Sequence, residues 1–161
     1  MPAAPVIANN TPLVALWVLG RLDILRDLYS EVLIPEAVYD EFLAAERGRR
    51  QAVLEGTPWI KPVALVKPQR ALAYVGLGQG EAEVLALAEE RSAALVLIDE
   101  RKDRRYARRL GIPVTGTLGL LLLAKEQQLV TAVSPLIGQL QEAGLYLAPP
   151  LIAATLRLAG E

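Results

Sequence analysis

The sequence places four polar side chains with oxygen ligands beside strong structural signals. They are Asn9, Glu41, Glu81 and Asp99. Asn9 and Asp99 directly follow short apolar runs, Glu41 lies within a helical pattern, and Glu81 begins a helix behind a glycine-containing loop. Carboxylates that gather at one place repel one another, and a divalent cation offsets that repulsion. The pattern therefore indicates a Mg²⁺ or Mn²⁺ site that activates water and stabilises a phosphate oxyanion.

The same residues also allow a purely structural interpretation. A glutamate at a helix start, such as Glu81, is stabilised by the helix dipole whether or not it has a catalytic role. Asp99 can cap the N-terminus of a helix through its carboxylate. Spacing alone leaves both interpretations open.

The composition limits the chemistry. The 161 residues include no cysteine and no histidine, which excludes thiolate and imidazole mechanisms and leaves only oxygen ligands for a metal. The formal net charge of −1 means that only a local patch could attract nucleic acid. The N-terminus lacks a basic leader, and the apolar run 118–124 is too short to span a bilayer. We expect a soluble, cytoplasmic protein with one domain over residues 1–161.

Apolar runs alternate with helical patterns along the chain, which indicates an α/β fold with a mostly parallel sheet. We predict strands at 6–8, 32–34, 95–98 and 112–115, with a possible edge strand at 59–65. Predicted helices lie at about 13–20, 21–29, 36–46, 81–90, 101–109, 116–127, 134–143 and 149–158. Residues 47–50 and 56–68 are predicted to be irregular. The predicted buried helix positions are Val38, Phe42 and Ala45; Val84, Leu85 and Ala88; and Tyr106 and Leu110.

The strand at 95–98 and the helix after it are the centre of the prediction. A right-handed strand, helix, strand unit places Asp99 at the carboxyl end of a parallel strand, where open sheets bind their ligands. The helix carries Arg101, Arg105 and Arg108 on one face, and this basic ridge could hold a phosphate backbone. The alternative is a solvated face whose arginines pair with Glu89, Glu90 or Glu100. The GLGQG stretch is not followed by Lys-Ser or Lys-Thr and is not a P-loop.

Four segments read together resemble the PIN-domain family, in its VapC-like ribonuclease branch. They are VIANNTPLVAL, VLIPEAVYDEF, GQGEAEVLALA and LVLIDERKDRRYARRLGIPVTGTLGLLLLAK. The resemblance implies a three-layer α/β/α sandwich and a Mg²⁺- or Mn²⁺-dependent nuclease. It assigns the site to Asn9, Glu41, Glu81 and Asp99, with Asp103 as an additional or substitute metal ligand. The family usually has aspartate where this sequence has Asn9, so we expect weaker metal binding and place activity in doubt.

The resemblance also implies a substrate and partners. The expected substrate is RNA, held by Thr11 and the basic ridge, and toxin-type members of the family act beside an antitoxin protein. The surplus of apolar residues at 118–123 and 145–158 predicts a homodimer. Two alternatives remain: a degenerate PIN domain that binds RNA or protein without cutting, and a nucleotide-binding flavodoxin-like or Rossmann-like fold. The second lacks the G-x-G-x-x-G fingerprint after its first strand.

Overall fold

Five parallel strands form the centre of the structure, a computed structural model that describes residues 4–161 apart from the side chain of Arg47. The strands are β1 (Val6–Ala8), β2 (Val32–Pro35), β3 (Ile60–Val63), β4 (Leu95–Leu97) and β5 (Val114–Thr115). The helices are α1 (Asn10–Val18), α2 (Asp23–Tyr29), α3 (Glu36–Ala44), α4 (Arg47–Glu55), α5 (Gln79–Arg91), α6 (Arg101–Arg109), α7 (Thr117–Glu126), α8 (Ser134–Glu142) and α9 (Pro149–Leu158). A short 3₁₀ helix spans Pro68–Ala73.

The strand order is β3-β2-β1-β4-β5, so the chain leaves the central strand β1 in one direction and later returns to build the other side. Ile7 of β1 is in register with Leu33 of β2 and with Val96 of β4. The order therefore reverses between β1 and β4. In open parallel sheets a ligand crevice forms at such a reversal, beside the carboxyl ends of the two strands.

Helices cover both faces of the sheet, as the three-layer prediction requires. On one side α5 contacts β1, β2 and β4 as well as α6, and on the other α1 and α2 pack with α7. The strands β1 and β2 are buried along their whole length, because a strand covered on both faces can be apolar throughout. Pro62 fits within β3 because β3 lies at the edge of the sheet, which confirms the predicted edge strand.

The prediction that residues 47–50 are irregular is wrong, because they begin α4. Among the α4 side chains that the structure describes, Arg50 and Leu54 are buried, at helical spacing. The Arg50 guanidinium donates to the Phe42 carbonyl at 2.8 Å and lies over the Trp17 ring at 4.6 Å from its centroid. A buried stripe that contains an arginine gives no hydrophobic periodicity, so the sequence pattern did not predict α4.

Two predicted core positions are also wrong. Ala45 follows the end of α3 in an extended conformation and is exposed, and Leu110 follows the end of α6 with 38% exposure. Each helix ends at the preceding residue, so Ala45 and Leu110 are C-cap positions and not part of the buried helix face. The remaining predicted helix positions are buried, except for the half-buried Tyr106.

The C-terminal helices leave apolar surface open to solvent. Leu120 and Leu121 of α7 are buried, whereas Leu151 and Leu158 of α9 are 55% and 78% exposed. The loop before α9 carries Tyr146, which is 83% exposed. Within residues 4–161, every helix is too short or too polar to cross a membrane.

Candidate functional site

Asn9 lies at the carboxyl end of β1 and begins the first helix. Its backbone is extended, its N–H donates to the Leu97 carbonyl at 2.9 Å, and its side-chain oxygen accepts from the Asn10 N–H at 2.8 Å. Asn9 is only 5% exposed. The side chain therefore caps α1, and it contributes a neutral oxygen at the position where the resemblance calls for a carboxylate.

Glu41 approaches Asn9 across a glycine. A Cβ atom at Gly80, near the start of α5, would lie 2.8 Å from Oε2 of Glu41 and 3.9 Å from Oδ1 of Asn9. The bare Cα of Gly80 thus leaves room for both oxygens next to the helix backbone. Partial burial of the carboxyl group and the nearby charge of Glu81 raise the pKa of Glu41, while a hydrogen bond from Asn10 opposes the rise.

Glu81 stands at the first turn of α5. Its Oε2 accepts a hydrogen bond from the Gly78 N–H at 3.1 Å, so the predicted helix-start role is real. That hydrogen bond engages only one of the two carboxylate oxygens of Glu81. The same side chain supplies the charge that raises the pKa values of Glu41 and Asp103.

Asp103 is the most unusual residue of the site. Its side chain is fully buried between α5 and α6, and neither of its carboxylate oxygens accepts a hydrogen bond. Burial, the charges of Glu81 and Glu100, and a hydrogen bond to Glu81 raise its pKa to about 7. A proton on Asp103 can satisfy the pair by donating to Glu81. We call Glu41, Glu81 and Asp103 the acidic cluster.

Asp99 makes its hydrogen bonds to Thr117 and not to the residues of the acidic cluster. Its Oδ1 accepts from the Thr117 N–H at 2.7 Å and its Oδ2 from the Thr117 hydroxyl at 2.6 Å. Asp99 therefore caps the N-terminus of α7, which bears out the structural interpretation of this residue. Glu81 and Glu100, and not Asp99, are the charges that act on Asp103.

The donor set fits a divalent cation at one part of the site. The buried carboxylate of Asp103 lies beside the half-buried carboxylate of Glu81, and a Mg²⁺ or Mn²⁺ ion stabilises such a like-charged pair. The predicted set of four ligands is not assembled. Among the residues that the structure describes, no three His, Cys, Asp or Glu side chains are arranged as a group that could hold a metal ion. A cation would thus rest on Glu81 and Asp103, with Glu41 nearby.

The basic ridge is exposed as the sequence predicted. Arg101, Arg105 and Arg108 all face solvent, and none forms an ion pair with another side chain in the described part of the chain. The alternative in which they pair with neighbouring glutamates is therefore not realised. Free guanidinium groups remain available for phosphate.

Sequence reasoning missed Arg104. Its side chain is half-buried, and its Nε donates to the Ile98 carbonyl at 3.2 Å. The signal was present in the helical spacing, because Asp103 and Ala107 form the buried face of α6 and Arg104 borders it. Arg104 is the arginine that points toward the end of β4.

A groove of about 470 Å³ opens beside the carboxyl ends of β4 and β5, and we call it the switch-point groove. The residues that matter for its chemistry are Thr11, Asp99, Arg101, Arg104, Tyr146 and Leu151. Thr11 is exposed and lines the groove, and its role as a substrate contact stays a prediction. A second cavity, of about 340 Å³, lies against the first turn of α5 and is lined by Glu41, Gly80 and Glu81.

The fold is that of an α/β protein with helices on both faces of a parallel sheet, and a comparison of the sequence with family models identifies the family. The model of a family described as a PIN domain matches residues 5–161. The chain belongs to the PIN-domain family, a nuclease-type family whose members generally depend on divalent metal ions. No curated protein matches the chain.

Proposed function

We propose that this protein is a Mg²⁺- or Mn²⁺-dependent endoribonuclease that hydrolyses RNA phosphodiester bonds. The single observation that carries the proposal is the buried, unpartnered carboxylate of Asp103 beside Glu81 in a member of a nuclease-type family. A fully buried, ionised carboxylate without a donor is costly unless a proton or a bound cation neutralises it. A divalent cation is the ligand that suits both the charge and the oxygen atoms.

The role that we propose for each residue follows from its position in the site. Glu81 and Asp103 would hold the cation, and Glu41 would complete its ligands directly or through water. A cation bound there supplies Lewis-acid activation of water and stabilisation of the leaving oxygen. Asn9 offers a neutral oxygen that can orient water near Glu41. Asp99, the remaining family position, acts through Thr117 and keeps the start of α7 in place.

The substrate side of the proposal is electrostatic. The basic ridge of Arg101, Arg105 and Arg108 would hold the RNA backbone without reading its sequence, since guanidinium contacts to phosphate carry no base information. Thr11 lies at the groove rim, where it can contact the phosphate next to the bond that is cut. The acidic cluster itself repels RNA, so the exposed arginines must supply the attraction.

A toxin role within the VapC-like branch extends the proposal to a partner. The activity of such a protein would be held in check by an antitoxin that covers the site. The apolar groove wall and the exposed arginines beside it favour a partner that combines apolar and acidic side chains.

Asn9 favours a second candidate function, an RNA-binding or protein-binding module without catalysis. Its amide caps α1 and adds no charge, and Asp99 has both oxygens engaged by Thr117. Two of the four family positions therefore serve the fold. In this alternative the acidic cluster is a remnant that binds no metal ion.

The decisive experiment is cleavage of end-labelled single-stranded RNA with Mn²⁺, Mg²⁺ or EDTA. We expect metal-dependent cleavage that falls on the order of 100-fold in Asp103→Asn and in Glu81→Gln, because each change removes charge from the transition-state site. Asp27→Asn is the matched control, since Asp27 is an exposed carboxylate on α2 and does not line the cavity beside the acidic cluster. Metal-independent cleavage, or equal rates in Asp103→Asn and the control, contradicts the nuclease proposal. RNA binding without cleavage supports the binding module.

A further inference from the structure

The switch-point groove contains a part that the proposed cleavage chemistry does not use. Its inner end, at Thr11 and Asp99, adjoins the carboxyl ends of β1 and β4. Its outer end runs along the loop before α9 and the first turns of that helix, about 30 residues further along the chain than Thr117. The volume of about 470 Å³ lies within the range of about 300–1,000 Å³ that small-molecule sites occupy.

One wall of the groove carries two guanidinium groups. Arg104 is held by its Nε bond to the Ile98 carbonyl, and a Cβ atom at Gly116 would lie 3.0 Å from its Nη2. The terminal nitrogens of a guanidinium that is fixed in this way can form a fork to phosphate oxygens with little further loss of side-chain entropy. Arg101 stands on the same wall and is exposed. Both oxygens of the neighbouring Asp99 carboxylate accept hydrogen bonds from Thr117, and the exposed Glu100 also lines the groove.

The opposite wall is apolar and open. Tyr146 is 83% exposed and Leu151 is 55% exposed, so both present large apolar surfaces to solvent at the groove. An aromatic ring beside a guanidinium-lined groove is the combination that binds single-stranded nucleic acid, because every base has a face that can stack. A polar partner would leave this wall unused, and a purely apolar partner would leave the two arginines unpaired.

We propose that the switch-point groove is a nucleotide subsite for single-stranded RNA, in which Arg104 and Arg101 bind a backbone phosphate and Tyr146 with Leu151 holds the adjoining base. This inference rests on the proposed function for its choice of RNA, and it deepens that function by assigning the nucleotide beside the cleavage site. The anionic backbone matches the two guanidinium groups, and the flat base matches the exposed ring. The subsite reads a base by its π-face and therefore accepts all four bases.

Fluorescence anisotropy of a labelled, single-stranded RNA tests the subsite in metal-free buffer, where no cleavage occurs. We expect Tyr146→Ala to weaken binding about 5- to 150-fold, the loss that corresponds to one stacked base. Tyr146→Phe keeps the ring and should bind like the wild type. Arg104→Gln should lower the slope of log affinity against log salt by about 0.7, the value for one phosphate contact on a single strand.

A matched control for the arginine is Arg91→Gln, an exposed cation in the last turn of α5 that is not part of the groove. It should leave the salt slope unchanged. The exposure of Tyr146 means that its replacement should not unfold the protein, and circular dichroism checks this. Unchanged RNA affinity in Tyr146→Ala, an unchanged salt slope in Arg104→Gln, or no RNA binding by the wild type overturns the subsite.

The result separates the subsite from the nuclease proposal. Metal-dependent cleavage with unchanged RNA binding in the groove variants means that the protein is a nuclease and that the subsite is wrong. Weakened RNA binding in those variants without any cleavage by the wild type supports the subsite and contradicts the nuclease. A change in sedimentation in Tyr146→Ala without a change in RNA affinity assigns the groove to a second copy of the chain, and this outcome also overturns the subsite.

Discussion

Replacing Asp103 with asparagine should stabilise the metal-free protein at pH 8. The wild-type carboxylate is fully buried beside Glu81 and has no hydrogen-bond donor. Above pH 7 the Asp103 carboxyl group is ionised although it is buried beside the charge of Glu81, and this lowers the free energy of unfolding. Asparagine has nearly the same shape and no charge, and its amide can donate to Glu81.

The raised pKa of Asp103 gives the size and the sign of this effect. The pKa rises from 3.8 to about 7 on folding, and one unit corresponds to about 1.4 kcal/mol, which makes about 4 kcal/mol the upper figure. Between pH 4 and pH 7 the folded state binds more protons at this site than the unfolded state does. The site therefore lowers the free energy of unfolding as the pH rises through this range, and its unfavourable contribution is complete above about pH 7. At pH 4 the two proteins should be nearly equally stable.

Urea unfolding at pH 4, 6 and 8 in EDTA measures the difference. With a denaturant slope of about 2 kcal/mol per molar, the midpoint of Asp103→Asn should exceed that of the wild type by up to about 2 M at pH 8. Asp40→Asn is the control for the same chemical change at an exposed carboxylate. Adding Mn²⁺ at pH 8 should narrow the difference, since a ligand at 100 times its Kd stabilises the wild type by about 2.7 kcal/mol. A wild type whose stability relative to the variant does not fall between pH 4 and pH 8 refutes the reasoning.

Four further predictions concern other parts of the protein. Asn9→Asp should increase Mn²⁺ affinity in calorimetry and RNA cleavage, and should lower metal-free stability through repulsion by Glu41; unchanged affinity counts against a metal site. Thr117→Val should reduce the free energy of unfolding by about 1.5–3 kcal/mol in urea, because it removes a hydroxyl donor to the Asp99 carboxylate. Hydrogen bonds from the Val133 N–H, the Lys125 ammonium and the Ser134 N–H lower the pKa of Glu161 to about 2. The ionised Glu161 therefore stabilises the fold above about pH 4.5, and this stabilisation is lost as the pH falls toward 2. In acid unfolding, Glu161→Gln should lack the loss of stability between pH 4.5 and pH 2. Sedimentation at micromolar concentration should give a homodimer through the apolar segment 118–123 that Leu122→Glu dissociates, and a wild-type monomer of 17.4 kDa would contradict it.

Most of the fold could be predicted because its signals are local. The strands β1, β2 and β4 are short apolar runs, and each predicted helix has an apolar stripe or a capping residue that marks its start. The predicted helix at 149–158 matches α9 at both ends. The strand order could not be deduced residue by residue, but the alternation of strands and helices already favoured a parallel sheet.

The site was predictable only in part. Asn9, Glu41 and Glu81 do come together around Gly80 and the start of α5. Their approach follows from the parallel sheet, which brings successive carboxyl ends to one edge. The sequence could not show which of Asp99 and Asp103 points toward Glu81. That choice depends on the rotation of α6 and on the position of Thr117, which lies 18 residues after Asp99.

The sequence by itself determined the family, the residue types of the site and the exclusion of imidazole and thiolate chemistry. These follow from composition and from motifs that are short and contiguous. The tertiary structure alone decided that Asp99 caps α7, that Asp103 is buried without a partner, and that Arg50 packs on Trp17. Each of these outcomes depends on contacts between segments that are distant in the chain. The energies of burial, charge and hydrogen bonding act between such neighbours in space, and a linear pattern records them only when both partners lie in the same element.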